Sequence, residues 1–253
     1  MIDLLSPDGI SVLNSFITRK TVFAFDLDGT LAPIIDNPSA VLVPEEICNA
    51  MQSLSNVAVT AVITGRSIKD AEKRLRFKPH YLIGNHGSEG LPKVEKREFS
   101  ITVKNWEEQL KSLLKPEDSA SLFFEQKNNS LSIHYRNADN PSRIRNAIID
   151  VIDNLHPKPR RIGGKFVENL IPEGLPHKGD ALFGVMDDAG CNQAFFLGDD
   201  ETDEDVFRLQ EPHILSACIG LDRKTAAKYY LSSQTKVLDL IHNILVQWEG
   251  VCC

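Results

Sequence analysis

Three short, almost wholly apolar runs, each ending abruptly in a polar cluster, limit what this chain can fold into. Thr21-Val-Phe-Ala-Phe25 ends in Asp26-Leu-Asp28-Gly-Thr30, Val57-Ala-Val-Thr-Ala-Val-Ile63 ends in Thr64-Gly-Arg66-Ser67, and Ala194-Phe-Phe-Leu197 ends in Gly198-Asp199-Asp200. A continuous apolar run without alternation suits a strand covered on both faces, as in a parallel sheet. Helical patterns follow at Glu45 to Leu54 and Ile68 to Leu75. Strands alternating with helices predict a doubly wound, Rossmann-like α/β domain. Ligands of such sheets bind beyond the carboxyl ends of the strands, where these polar clusters fall. Ile214 to Ile219 reads as a further strand and Lys236 to Trp248 as a closing helix.

Between about Leu91 and Pro172 the texture changes. An amphipathic helix is expected at Trp106 to Leu114 and a strand at Ser121 to Lys127. A hairpin turn at Lys127-Asn-Asn-Ser130 leads to an alternating strand from Leu131 to Arg136. A proline in its first turn opens a helix from Pro141 to Leu155, and Lys165 to Glu168 reads as another strand. The expected organisation is therefore an α/β core (1–90 and 174–253) carrying an inserted α+β module (91–173).

Composition excludes several classes. Of 253 residues 42% are hydrophobic and 25% charged, enough to bury a core unaided, and the net charge of −7 argues against a broad nucleic-acid footprint. The basic stretch Lys158-Pro-Arg160-Arg161 reads as a solvated surface loop. No apolar run approaches the roughly 20 residues that span a bilayer, and the first residues lack the basic and apolar regions of a signal peptide. The five cysteines have no metal-ligand spacing, and the vicinal pair Cys252-Cys253 is too close for an unstrained disulfide. A reducing, cytoplasmic setting is expected, with a monomer acting on a small molecule and no membrane or nucleic-acid partner.

The polar clusters carry the chemistry. Asp26 and Asp28 at i and i+2 would normally face opposite sides of a strand, but a turn at Asp28-Gly29 can break the alternation and bring both to one site. One carboxylate could then attack an electrophile while the other handles a proton. An Asp-Gly turn with a helix cap uses the same residues, and the dipeptide alone does not separate the readings. Gly198-Asp199-Asp200-Glu201-Thr202-Asp203-Glu204 does more, because helix capping does not explain why acidic clusters end two separate strands. Oxygen-only ligands without Cys or His indicate a hard ion such as Mg²⁺. Thr64 and Arg66 offer groups suited to phosphate oxygens, though Thr64 or Ser67 could equally be a helix N-cap. Lys178 opposes the dipole of the helix it precedes, which a phosphate charge would justify. His134 and Arg136, alternating with Ser132, read on their own as an exposed polar strand face.

Together, Asp26-x-Asp28-Gly-Thr-Leu, Thr64-Gly-Arg66, Lys178-Gly and Gly198-Asp199-Asp200-x-Thr-Asp203 resemble the four motifs of haloacid dehalogenase (HAD) superfamily phosphatases. Within that superfamily the chain resembles the trehalose-6-phosphate phosphatase family. Gly84-Asn85-His86-Gly87-Ser-Glu89, Glu125-x-Lys127, His134-Tyr135-Arg136, Glu168 followed by Ile171-Pro172, and the extended acidic motif through Phe207 carry that likeness.

The resemblance implies a HAD-like core with an inserted cap, and roles for particular positions. Asp26 would become an aspartyl phosphate. Asp28 would protonate the leaving sugar oxygen and then activate water. Thr64 and Lys178 would hold the phosphoryl oxygens. Mg²⁺ would be bound by the Asp26 carboxylate, the Asp28 backbone carbonyl and Asp199, with Asp203 supporting its waters. Arg66 and the Asn85-His86-Gly87 loop would lie near the substrate. In the family the cap is mobile and grips the disaccharide, which points to Glu125, Lys127, His134, Arg136 and Glu168. Two stretches depart from the family pattern: Glu168 to Pro172 lacks a basic residue before the proline, and Leu175-Pro-His177 replaces a smaller polar pair. Phosphatases of sucrose phosphate or mannosylphosphoglycerate, and non-catalytic phosphosugar sensors, share this kind of core. The Glu125/Lys127 and His134/Arg136 pairs favour trehalose 6-phosphate, and the complete set of Asp26, Asp28, Thr64, Lys178 and Asp199 favours catalysis.

Overall fold

The computed structural model describes residues 1–35, 37, 40–91, 99–127, 129–164, 166–221 and 224–251, without the side chains of Lys127 and Val251. Along the chain, β1 (Ile2–Asp3) precedes α1 (Pro7–Phe16), which is opened by Pro7 and by Ser6, whose hydroxyl accepts from Gly9 N at 3.1 Å. Next come β2 (Thr21–Phe25), α2 (Glu45–Val57), β3 (Thr60–Ile63), the single turn α3 (Ile68–Ala71) and β4 (Tyr81–Ile83). A second stretch holds α4 (Ser100–Leu113), α5 (Pro116–Ser119), β5 (Phe123–Lys127), β6 (Ser130–His134), α6 (Pro141–Ile152), β7 (Pro159–Gly164) and β8 (Val167–Pro172). The chain then returns through α7 (Lys178–Ala189), β9 (Gln193–Gly198), α8 (Glu204–Phe207), β10 (Ile214–Ile219), β11 (Tyr229–Leu231) and α9 (Val237–Val251). It divides into two compact units, Met1–Val94 with Pro176–Cys253, and Glu95–Leu175.

The first unit is built on a seven-stranded sheet in the order β1-β11-β10-β9-β2-β3-β4, with every pairing parallel. The three apolar runs are its adjacent central strands β9, β2 and β3, and β2 is buried at every position. Phe23, Phe25, Phe195 and Leu197 pack on one face with Met51 and Leu54 of α2 and Leu240, Ile244 and Trp248 of α9. Val22, Ala24 and Phe196 pack on the other with Ala181, Leu182 and Val185 of α7. Helices therefore cover both faces, which is why the strands are apolar throughout. The register Phe25↔Leu197 sets the next residues, Asp26 and Gly198, side by side at the carboxyl edge.

The second unit is an antiparallel sheet in the order β5-β6-β8-β7. Leu131 and Ile133 of β6 and Leu170 of β8 bury against Val103, Trp106 and Leu110 of α4 and Ile144, Ile148 and Ile152 of α6. Trp106 Nε1 donates to Pro157 O at 2.6 Å, satisfying the one polar atom of that buried ring.

Several boundaries differ from the sequence reading. Helix α2 runs on to Val57, so β3 starts only at Thr60, and α3 lasts one turn instead of reaching Leu75. Arg160 and Arg161, read as a surface loop, lie in β7, where Pro159 occupies the first position, a place in a strand that tolerates its missing N–H. Arg136 lies beyond the end of β6 and is exposed, so it does not share a strand face with His134. Lys165, Cys252 and Cys253 fall outside the described residues. Among the described residues no helix is long and apolar enough to cross a membrane.

Candidate active site

The chemistry is assembled where β2 and β9 end. Asp26 N still donates to Leu197 O at 2.9 Å, so the ladder runs up to this residue. The chain then turns, with Gly29 N donating to Ala32 O at 2.7 Å and Ala32 N to Leu27 O at 2.8 Å. Gly29 has φ +82°, and a methyl group on it would overlap the Asp199 carboxylate. Opposite, a methyl on Gly198 would overlap the carboxylate of Asp203. Gly29 thus lets the Asp199 carboxylate of the β9 exit lie against the backbone of the β2 exit, and Gly198 lets Asp203 fold back onto the end of its own strand.

Asp203 is completely buried and uses both oxygens. Oδ2 accepts from the backbone N–H groups of Asp199 and Asp200, each at 2.8 Å, which folds the acidic run into a 3₁₀ turn at Glu201–Asp203. Oδ1 accepts from Lys178 Nζ at 2.6 Å, and the same ammonium donates to Asp26 Oδ1 at 2.6 Å. Lys178 stands at the start of α7, capped by His177, whose Nδ1 accepts from Gly179 N at 3.1 Å and Asp180 N at 3.2 Å. Capping therefore explains part of the acidic run, through Asp200 and Asp203, but not the ammonium shared with Asp26.

The electrostatics call for more positive charge than Lys178 brings. Burial pulls the Lys178 ammonium down, but Asp203 and then Asp26 more than reverse this and hold it protonated well above its usual range. Burial drives the Asp26 carboxyl well up, Lys178 opposes, and Asp203 and Asp199 add to the rise. Burial, then Asp203 and Asp200, push Asp199 up to about 7, while Thr30 Oγ1 donates to Asp199 Oδ1 at 3.3 Å. Asp26, Asp199 and Asp203 offer oxygens within 4.8 Å of one another. This crowded, all-oxygen donor set with charge left over fits a hard divalent cation. The Asp28 carboxylate is not in that group, so a ligand role there falls to its backbone carbonyl.

Thr64, Arg66 and the loop after β4 close the other side. Thr64 is buried, and its hydroxyl accepts from Arg66 N at 3.2 Å. Arg66 grips Asp28 with two parallel bonds, Nε to Oδ2 at 2.6 Å and Nη2 to Oδ1 at 2.7 Å. Burial works against this pairing, yet the hydrogen bond to Asp28 outweighs it and raises the guanidinium further above its ordinary value. Asn85 and His86 adopt φ +47° and +58°, and their backbone N–H groups donate to Arg66 O and Thr64 O at 2.8 and 2.9 Å. Asn85 Nδ2 donates to Glu89 Oε2 at 2.9 Å, the atom that also accepts from Ile68 N. A methyl on Gly65 would overlap the His86 ring, and one on Gly87 would crowd the carbonyl of His177. The loop so ties the exit of β3 to the start of α7, and Asn85 acts within it as a turn-forming residue.

A family model described as trehalose-phosphatase matches residues 24–235, which include every one of these groups. The chain belongs to the trehalose-phosphatase family. It is therefore a phosphatase. The chain is similar to the protein named probable trehalose-phosphate phosphatase H of Arabidopsis thaliana, 24% identical over 257 residues that cover 91% of this chain and 73% of that protein. Its fold is similar to the C-terminal domain of the Candida albicans trehalose-6-phosphate phosphatase, with a TM-score of 0.76, 20% identity and coverage of 97% and 98% of the two chains. It is also similar to the C-terminal domain of a C. albicans trehalose synthase regulatory protein, with a TM-score of 0.66, 11% identity and coverage of 97% and 99%. Since that likeness extends to a regulatory protein, fold alone does not decide between catalysis and sensing.

In the second unit of this trehalose-phosphatase family member the register sorts the expected sugar-binding residues by face. Antiparallel partners share a face. Phe123, Glu125 and Lys127 oppose His134, Ser132 and Ser130, and Ser132 and His134 oppose Asn169 and Val167. His134 Nε2 lies 2.9 Å from Glu125 Oε2, and Ser132 Oγ donates to Asn169 Oδ1 at 2.7 Å. Lys127 belongs to this face by register; its side chain is outside the described atoms. Glu168 opposes Ile133, which faces the helices, so it lies on the other side of the sheet. It is completely buried, with Arg145 Nε and Arg161 Nη1 each donating to it at 2.8 Å. Asn169, which the sequence reading did not single out, occupies the polar face instead. Strand alternation counted back from Leu131 through the pairing would have found it, but that pairing is not visible in the chain itself.

Proposed function

We propose that this protein hydrolyses trehalose 6-phosphate through an aspartyl-phosphate, with Mg²⁺ at the strand ends. The observation that carries this reading is the Lys178 ammonium between Asp26 and Asp203, beside Asp199. Asp26, the backbone carbonyl of Asp28 and Asp199 would hold the ion, with Asp203 behind them. When bound, it would offset the carboxylates and the phosphoryl charge that otherwise repel each other.

In the first step Asp26 Oδ2 attacks phosphorus while the bond to the sugar oxygen breaks. The electron pair of that bond stays on the sugar oxygen, which takes a proton from the Asp28 carboxyl and leaves as an alcohol. In the second step Asp28, now a carboxylate, takes a proton from water as the water oxygen bonds to phosphorus. The acyl-phosphate bond breaks, returning its electron pair to Asp26 and releasing phosphate. Thr64 and Lys178 steady the phosphoryl oxygens in both steps, and fixed donors aimed at developing charge are usually the largest source of acceleration. Glu125, Lys127, His134 and Arg136 of the second unit recognise the sugar, which is a small-molecule partner. The free thiols of Cys48 and Cys191 suit a reducing cytoplasm.

Phosphate release with Mg²⁺ from trehalose 6-phosphate, sucrose 6-phosphate, glucose 6-phosphate and p-nitrophenyl phosphate tests the reading. Preference for trehalose 6-phosphate, lost with EDTA, is expected. Metal-dependent release from a different sugar phosphate overturns the substrate, and no release from any of them replaces the enzyme with a sensor.

A further inference from the structure

Arg66 was expected to meet phosphate, yet three of its nitrogens are engaged by protein carboxylates. Nε and Nη2 hold Asp28, and Nη1 donates to Asp70 Oδ2 at 2.6 Å. Asp70 in turn accepts from Arg74 Nη2 through Oδ1 at 2.9 Å. The line Arg74–Asp70–Arg66–Asp28 is anchored at its far end by local backbone. Asp70 N donates to Ser67 O at 3.0 Å, Arg74 N donates to Ala71 O at 2.8 Å, and Arg74 O accepts from Val43 N at 3.2 Å. Of these residues only Asp70 lies in the single turn α3; Arg66 stands just before its cap Ser67, and Arg74 in the turn that follows.

A guanidinium is planar, with donors in a fixed fork. A carboxylate bonded through both oxygens to such a fork takes on its plane, and the fork keeps its own plane only if something holds the opposite edge. Asp70 is at that edge. The Asp28 side chain is 37% exposed, so little else restrains its rotation. We propose that Asp70 is a positioning residue for the phosphatase reaction: acting through Arg66, it sets the orientation of the Asp28 carboxyl group toward the leaving oxygen. This rests on the role given to Asp28 above. A displacement of about 1 Å at a reacting group can cost about a hundredfold in rate, so a residue that touches no substrate can still govern kcat.

The test compares the full chain with Mg²⁺ as wild type, Asp70→Asn, Asp70→Glu, Arg66→Lys, the Arg66→Lys/Asp70→Asn pair and Asp28→Asn. Steady-state rates are measured on trehalose 6-phosphate, and the initial burst on p-nitrophenyl phosphate, whose leaving group needs no proton. Asp70→Asn should lower kcat for trehalose 6-phosphate at least about tenfold while KM and the p-nitrophenol burst stay within about twofold. Asp70→Glu should recover most of the loss, and Asp70→Asn should add little on the Arg66→Lys background. The proposal is overturned by an unchanged kcat in Asp70→Asn, by an equal loss in the aryl phosphate burst, or by a rise in KM for both substrates, the mark of a phosphate ligand. Inactive Asp28→Asn beside normal Asp70→Asn defeats this proposal alone; active Asp28→Asn defeats the role of Asp28 and this proposal with it.

Discussion

Lys178 Nζ lies 2.6 Å from Asp26 Oδ1, and both side chains are buried. The carboxylate proposed to attack phosphorus is thus paired with a cation before any substrate arrives, and Asp203 holds that cation at the same distance. The pairing preassembles the site, and it also makes the site vulnerable.

Lys178→Met should show both properties. Removing one partner of a buried ionic cluster leaves uncompensated charge and typically costs about 3–5 kcal/mol. Loss of a phosphoryl-stabilising donor should also lower kcat by about 100-fold or more. Denaturant unfolding and phosphate release measure the two effects. Unchanged stability would contradict the placement of Asp26 and Asp203 around one ammonium.

The metal-free protein should become more stable as pH falls. Asp199, with its carboxyl pushed up to about 7 against an ordinary 3.8, binds a proton in the folded state at pH values where the unfolded chain does not. Stability then falls as pH rises through this range, so thermal unfolding in EDTA should occur at higher temperature at about pH 5.5 than at about pH 8. Mg²⁺ should remove most of the penalty at the higher pH, because only the folded state presents the gathered carboxylates. Equal Mg²⁺ stabilisation at both pH values would contradict proton–metal competition at this site.

Gly198→Ala should damage the site more than the fold. The added methyl meets the Asp203 carboxylate, whose other contacts hold Lys178 and two backbone N–H groups. Weaker Mg²⁺ binding and a kcat lowered at least about tenfold are expected, with secondary structure by circular dichroism preserved. Wild-type kinetics would show that the Asp203 carboxylate is not packed against the end of β9 as described.

Glu168 and His134 should separate stability from recognition. Glu168→Ala leaves Arg145 and Arg161 without their shared buried acceptor and should lower stability by about 1–3 kcal/mol with little change in KM. His134→Ala should raise KM for trehalose 6-phosphate more than for p-nitrophenyl phosphate. The reverse pattern would return Glu168 to the sugar-binding set.

What was legible in the chain follows from how each element is buried. Strands β2, β3 and β9 announce themselves because burial on both faces demands nearly unbroken apolar runs. Strands β1 and β11 are two and three residues long at one edge and β4 is three residues long at the other, too short to impose a pattern. Asp26, Asp28, Lys178 and Asp199 were readable because acidic or basic residues at strand and helix ends need a reason. Glu168, expected among the sugar-binding residues, lies on the helix-covered face because a strand alternates with period two, and one step along it exchanges the polar face for that one. Asp70 was passed over because an acidic residue between basic ones on a helical face usually marks a solvated surface; only the bonds from Arg66 to Asp28 connect it to the site.

The central claim is that Asp26 forms a covalent bond to phosphorus, and acid quenching tests it most directly. The protein would be mixed with Mg²⁺ and phosphorus-labelled trehalose 6-phosphate, quenched within the first turnover, and its peptides analysed. Acid-stable label approaching one phosphate per chain on the peptide containing Asp26, absent from a folded and inactive Asp26→Asn variant, is the predicted result. Wild-type turnover in Asp26→Asn would contradict the account.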